Sequence, residues 1–166
     1  MSHGFRLAIA FTLRQEDARD DAQVTAVDLG DGGGLTKYGI TAASYPGEDI
    51  AALTVERAMA LYERDYWEAL ALYQLPIPLA VMAFDAAVNQ GPKTAIRLLQ
   101  ETLGVPVDGV LGPVTAQAAR DRPDPLQAYT VTRAMRYMTL QSFPRFGRPW
   151  LGRLLRCLRY CEGLPE

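Results

Sequence analysis

Apolar positions along this chain recur mostly with the period of a helix. Phe5, Ile9, Leu13 and Glu16 share one helical face, with Arg6, Arg14 and Gln15 opposite, so residues 5–16 are predicted to form a first helix whose apolar stripe ends in a carboxylate. The period then shortens. Gln23-Val24-Thr25-Ala26-Val27 alternates like a short strand, Asp28 to Gly34 reads as a glycine-rich loop, and Leu35 to Thr41 reads as a second strand. A period of two there puts Thr36, Tyr38 and Ile40 on one face and Leu35, Lys37 and Thr41 on the other.

Beyond residue 50 the helical period returns. Thr54 reads as an N-cap with Glu56 in the first turn. Val55, Ala58, Met59, Tyr62, Tyr66, Ala69 and Tyr73 trace one face of a helix that Pro76 and Pro78 end. Leu79 to Asn89 is apolar nearly all round, which predicts a central buried helix with Asp85 and Asn89 as polar exceptions four residues apart. Pro92 opens a further helix that Gly104 closes, Pro113 opens another after Gly112, Asp124-Pro125 starts one running to about Leu140, and a last one follows Pro149. The expected class is mainly α (α+β), many helices with one small β-hairpin.

At 166 residues the chain is long enough for one domain with a proper core. A composition of 49% hydrophobic and 22% charged residues excludes a disordered or fibrous chain. No apolar run approaches the roughly 20 residues that span a bilayer. The run from Leu7 to Leu13 is short and lacks a small-residue cleavage site, so synthesis in the cytoplasm without a signal peptide is expected. One histidine, His3, and two cysteines, Cys157 and Cys161, argue against a metal centre; no metal and no cofactor are expected. The two cysteines share a helical face at a spacing that suits reduced thiols better than a disulfide.

Arg133, Arg136, Arg145, Arg148, Arg153, Arg156 and Arg159 crowd the last third, while the first third is acidic. The basic helices either face an anionic wall or membrane surface or pair with the acidic first third inside one fold. Nucleic acid is not an expected partner, because no motif accompanies a formal net charge of −2.

The chemistry-bearing stretch is Glu16 followed by Asp31-Gly32-Gly33-Gly34-Leu35-Thr36-Lys37-Tyr38-Gly39-Ile40-Thr41. A carboxyl group at the edge of apolar surroundings has a raised pKa, which suits a general acid, and a second carboxylate can steer a water. Equally, Glu16 reads as a solvated helix-end acid, Asp28 and Asp31 as turn formers, and Trp67 as a core aromatic rather than a stacking platform for sugar. Asp85 reads as a buried structural acid. Asn89 is either a groove residue or a structural amide.

Taken together, these residues resemble glycoside hydrolase family 108, a group of bacterial and phage N-acetylmuramidases with a lysozyme-like core. The hairpin signature Asp-x-Gly-Gly-x-Thr-x-Tyr-Gly-Ile-Thr is matched by residues 31–41, Tyr66-Trp67 is similar to the family's Tyr-Trp pair, and Phe84-Asp85-Ala86-Ala87-Val88-Asn89-Gln90-Gly91 to its Phe-Asp-x-x-Val-Asn-x-Gly segment. Leu99-Gln100 and Asp108-Gly109-Val110-Leu111-Gly112-Pro113-Val114-Thr115 resemble the peptidoglycan-binding helical motif of the family's second half. There is one departure: the family writes its glutamate as Glu-Gly-Gly-Tyr close before the aspartate, whereas here Glu16-Asp17-Ala18-Arg19 stands further away.

The resemblance implies a single lysozyme-like unit over residues 1–166, with a catalytic part at about 5–90 and a peptidoglycan-binding-like part at about 91–166. It implies an N-acetylmuramidase cutting the β-1,4 bond between N-acetylmuramic acid and N-acetylglucosamine. Glu16 would act as general acid, Asp31 (or Asp28) with Thr36 would hold the water, and Tyr38, Asn89 and Trp67 would contact substrate. The resemblance to phage-type lysozymes, which place a Glu, an Asp and a Thr in this order, implies inversion, for which carboxyl groups about 6.5–9.5 Å apart are expected, against about 5–5.5 Å for retention. The alternatives are a lytic transglycosylase giving anhydromuramyl products and a non-catalytic peptidoglycan-binding or secretion-accessory protein. A monomer is expected, acting on the glycan strand of the wall after holin-dependent or contact-dependent release.

Overall fold

The computed structural model describes residues 1–16, 27–28 and 34–165, with only the backbone at positions 16, 27 and 28. Within them the chain forms α1 (His3–Glu16), strands β1 (Val27–Asp28), β2 (Leu35–Lys37) and β3 (Ile40–Thr41), then α2 (Val55–Tyr62), α3 (Ile77–Gln90), α4 (Pro92–Leu103), α5 (Pro113–Asp121), α6 (Pro125–Met138) and α7 (Phe143–Glu162). The protein is mainly helical with a small antiparallel sheet, as the apolar periodicity predicts.

The middle of the bundle is α3. Every residue from Leu79 to Ala87 is buried, because the helix is covered by α1, α4, α6 and α7. Pro76 and Pro78 stand at its start, where a missing N–H costs no helical hydrogen bond. Helix α1 is capped by the Ser2 hydroxyl, which accepts from the Phe5 N–H at 3.2 Å, and buries Phe5, Ala8, Ile9 and Thr12 along one face. One cluster of apolar side chains runs from Phe5 through Phe84 to Cys157 and Cys161.

Two hydrogen bonds and two shared cavity walls fix how the helices run. On α7, Tyr160 donates to the Leu7 carbonyl while Arg156 reaches Gln15, so α7 is antiparallel to α1. Cys161 lies with Leu79 beside one cavity and Trp150 with Asn89 beside another, so α7 is antiparallel to α3 as well. Helices α1 and α3 are therefore parallel, and their C-terminal residues Glu16 and Gln90 stand at the same end of the bundle as the start of α7.

Several boundaries differ from the expectation. The run from Leu35 to Thr41 is two strands, not one: Tyr38 and Gly39 have φ of 54° and 76° and reverse the chain, pairing Lys37 with Ile40 and Thr36 with Thr41. Two successive positive φ values make the tight turn whose twist suits a hairpin, and glycine supplies one of them freely. The predicted strand at residues 23–26 lies outside the described residues, whereas Val27 pairs with Thr36. The helix after Thr54 does not run through to Pro76. It widens into a π-helical turn at Glu63–Glu68, then breaks at Ala71, whose φ is 52°. The last helix begins at Phe143 and carries Pro149 inside it.

The predicted caps hold. The Thr54 hydroxyl accepts from the Arg57 N–H at 3.2 Å, and Gly104 closes α4 with φ of 69°.

Candidate functional site

The hairpin is fixed to the helical core by a hydrogen bond from Tyr62 and by buried side chains, Ile40 first among them. The Tyr62 hydroxyl donates to the Tyr38 carbonyl at 3.0 Å, and Ile40 is buried in the apolar cluster. Tyr62 in turn packs on Phe84 of α3, with ring centroids 6.1 Å apart. Because Ile40 points to the core, Thr36 and Thr41 occupy the other side of the sheet. The half-buried Thr36 hydroxyl makes only a long contact, 3.4 Å, to the Gly34 carbonyl.

Tyr38 does not share a strand face with Thr36, because the turn removes it from the alternation. Its ring packs partly against the core, with the Lys37 ammonium 5.6 Å from the ring centre. Glu16 ends α1, four residues beyond the buried Thr12, and its side chain lies outside what is described. Asp31 lies outside the described residues altogether, and so does the Asp28 side chain.

Trp67 requires a correction. It is 4% exposed and wedged against Phe5 and Phe84, with centroids at 5.9 and 6.2 Å. A Cβ on Gly4 would come within 3.0 Å of its ring. Such an indole is core and offers no face to a sugar.

Asn89 is placed by a neighbour that the sequence did not bring forward. On α6, the buried Tyr137 donates its hydroxyl to Asn89 Oδ1, and Trp150 of α7 stacks on the Tyr137 ring at 5.3 Å. Asn89, Gln90, Thr94, Arg136, Tyr137 and Trp150 surround a cavity of about 280 Å³ at the Glu16 end of the bundle. A second cavity, of about 480 Å³, lies at the opposite end between the start of α3 and the end of α7, remote from all of these residues.

One turn below Asn89, Asp85 is buried and bound on both oxygens. Arg133 Nη2 donates to Oδ2 at 2.9 Å and Arg153 Nε to Oδ1 at 2.8 Å, and Arg133 also donates to Gln90 Oε1 at 2.9 Å. Two of the arginines of the basic last third therefore pair inside the fold with an acid of the central helix. Arg133 falls on α6 in line with Tyr129, Thr130 and Tyr137, the buried stripe, and a cation on an apolar stripe is the signal that could have found it.

Further on, the buried Gln100 carboxamide organises the loop before α5. It donates to Asp108 Oδ1 at 2.6 Å and the Val110 carbonyl at 3.0 Å, and accepts from the Gly109 N–H at 2.8 Å. These are the residues of the Leu99-Gln100 and Asp108-Gly109 motif.

Comparison with known proteins places this arrangement. Residues 21–91 match the family Glycosyl hydrolase 108, and residues 94–155 match the family Predicted Peptidoglycan domain. The first match contains Asp31, Thr36, Tyr38, Trp67 and Asn89 and begins after Glu16. The solved structure of SagA from Brucella abortus is similar to this chain, with a TM-score of 0.81 and 28% sequence identity over 95% of this chain and 93% of that one. No curated protein sequence matches.

Proposed function

We propose that this chain, whose residues 21–91 match glycosyl hydrolase family 108 and whose residues 94–155 match a peptidoglycan domain family, is an N-acetylmuramidase. Its coarse role, a glycoside hydrolase directed at peptidoglycan, follows from those two neighbouring segments. The finer reading is that it hydrolyses the β-1,4 bond between N-acetylmuramic acid and N-acetylglucosamine.

In this reading Glu16 protonates the glycosidic oxygen. Asp31, together with the Thr36 hydroxyl, holds and activates the water that attacks the anomeric carbon from the opposite face, which inverts the configuration. Tyr38 hydrogen-bonds the sugar or orients Glu16. The observation that carries the assignment is the parallel run of α1 and α3, which brings Glu16 to the same end of the bundle as Asn89 and the cavity beside it. In support, Thr36 stands on the sheet face turned away from the core, with its hydroxyl only loosely engaged.

Digestion of purified peptidoglycan tests the proposal. The expected products carry new reducing ends at N-acetylmuramic acid, and Glu16→Gln removes the activity while the circular dichroism spectrum stays unchanged. Near-normal activity in that variant would take Glu16 out of the role. As part of the same proposal, the enzyme is a monomer made in the cytoplasm that meets the wall after release through a holin pore or a contact-dependent machine. Lysis of expressing cells only when a holin is co-expressed would support that route.

A further inference from the structure

We propose that the cavity bounded by Asn89, Gln90, Arg136 and Trp150 binds a carboxylate of the peptide stem of peptidoglycan, an inference that rests on the muramidase reading and assigns a part of its substrate to a site. Asn89 has its carbonyl oxygen taken by the Tyr137 hydroxyl, and Gln90 has its carbonyl oxygen taken by Arg133 Nε. Two adjacent carboxamides are thus anchored through oxygen, and the NH2 of each is the unengaged end.

Both anchors are rigid. Tyr137 is 2% exposed and Arg133 is 0% exposed, with Arg133 locked onto Asp85. Arg136, one turn along α6 from Arg133, gives a single hydrogen bond, Nη1 to the Thr139 hydroxyl at 3.0 Å, and keeps its other N–H groups. Among the described residues no acidic side chain lines the cavity. Beside the apolar Leu140 and the rings of Tyr137 and Trp150, the lining presents the two amide NH2 groups and one positive charge, which complement an oxygen-rich anion.

The occupant is the peptide rather than a sugar ring for two reasons. Trp150 already has two aromatic rings laid nearly parallel to it, Tyr137 at 5.3 Å and Phe146 at 5.9 Å, so little of the indole is left for stacking. The volume, about 280 Å³, sits at the lower edge of the roughly 300–1,000 Å³ usual for ligand pockets and suits one or two amino-acid units. The place is also right. The stem branches from the muramic acid next to the cleaved bond, and the cavity opens at the end of the bundle where α1 delivers Glu16.

The test is binding, which does not depend on catalysis. Titration of the full chain with muramyl dipeptide, followed by side-chain amide NMR, is expected to shift the Asn89 and Gln90 NH2 resonances. Arg136→Ala should weaken the dissociation constant about tenfold or more, since a hydrogen bond to a charged group is lost. Asn89→Asp should abolish binding by setting like charge against the ligand. The peptide-free dimer of N-acetylglucosamine should leave those resonances unmoved, and acetate alone should bind far more weakly. Equal binding of dipeptide and peptide-free dimer, equal affinity for acetate, or unchanged affinity in a folded Arg136→Ala protein would overturn the proposal. A chain that binds the dipeptide through this cavity yet cuts no glycan would instead refute the muramidase reading and leave the cavity assignment standing.

Discussion

Replacing Asp85 with asparagine perturbs a fully buried charge that two arginines share. The carboxylate is fully buried, as is Arg133, and the Arg153 side chain is 12% exposed, with contacts of 2.9 and 2.8 Å to the two oxygens. Asparagine keeps one acceptor and turns the other into a donor aimed at a guanidinium. Arg133 would then keep only neutral partners, Gln90 Oε1 and the carbonyl and sulfur of Met82. Removing one member of a buried ion pair costs about 3–5 kcal/mol, because the remaining charge stays buried without compensation. That is a large part of the roughly 5–15 kcal/mol that holds a domain folded. At about 2–4 °C per kcal/mol for a chain of this size, the melting temperature should fall by about 6–20 °C.

Urea and thermal unfolding followed by circular dichroism measure the loss directly. The triple replacement Asp85→Leu, Arg133→Met and Arg153→Met supplies the contrast. It removes all three charges together and should recover most of the stability, since apolar groups of similar volume avoid the desolvation cost. A loss below about 1 kcal/mol in Asp85→Asn, or a triple variant less stable than the single one, would refute the reasoning.

Three further outcomes follow from the same structure. Gln100→Ala removes a buried amide that holds Asp108, Gly109 and Val110. It should cost about 1–3 kcal/mol and release hydrogen-exchange protection at the Gly109 amide before the rest of the chain. The Arg64 guanidinium, and after it the Tyr45 hydroxyl, holds the Asp65 carboxyl below its ordinary value of 3.8. The contribution of a carboxyl depressed in the folded state is present above pH 3.8 and fades as the pH falls through the lower folded value, so Asp65→Asn should flatten stability against pH in that acid window. Cys157 and Cys161 are free and buried, and the Cys157 thiol is pushed well above the ordinary thiol range by its hydrogen bond with Cys161 and by burial. A thiol reagent at neutral pH should label both only as fast as the protein unfolds.

Much of the helical frame was legible in the chain. The apolar run from Leu79 to Asn89, the Thr54 cap and the Gly104 stop each rest on local chemistry, and local chemistry is what a sequence displays. The turn at Tyr38-Gly39 was missed because an apolar alternation continues across it, and only glycine signals the positive φ that tyrosine also adopts. Pro149 was read as a helix boundary because proline usually ends a helix, yet here α7 carries it within its length.

The candidate site was less legible. Arg133, Tyr137 and Trp150 lie more than forty residues from the Asp85–Gln90 segment that they organise, so only the packing of α3, α6 and α7 brings them together. Trp67 was offered to a sugar because it neighbours Tyr66 in a family-like pair, but large aromatics next to a central helix are drawn into the core, and this one is.

In the proposed function this chain cuts the glycan backbone of peptidoglycan with Glu16 as proton donor. Mass spectrometry of fragments released from purified peptidoglycan by the wild-type chain and by Glu16→Gln tests it most directly. Fragments ending in reducing N-acetylmuramic acid are expected from the wild type and none from the variant. Fragments lighter by one water would contradict it in favour of a transglycosylase, and wall binding without any new reducing end would contradict catalysis altogether.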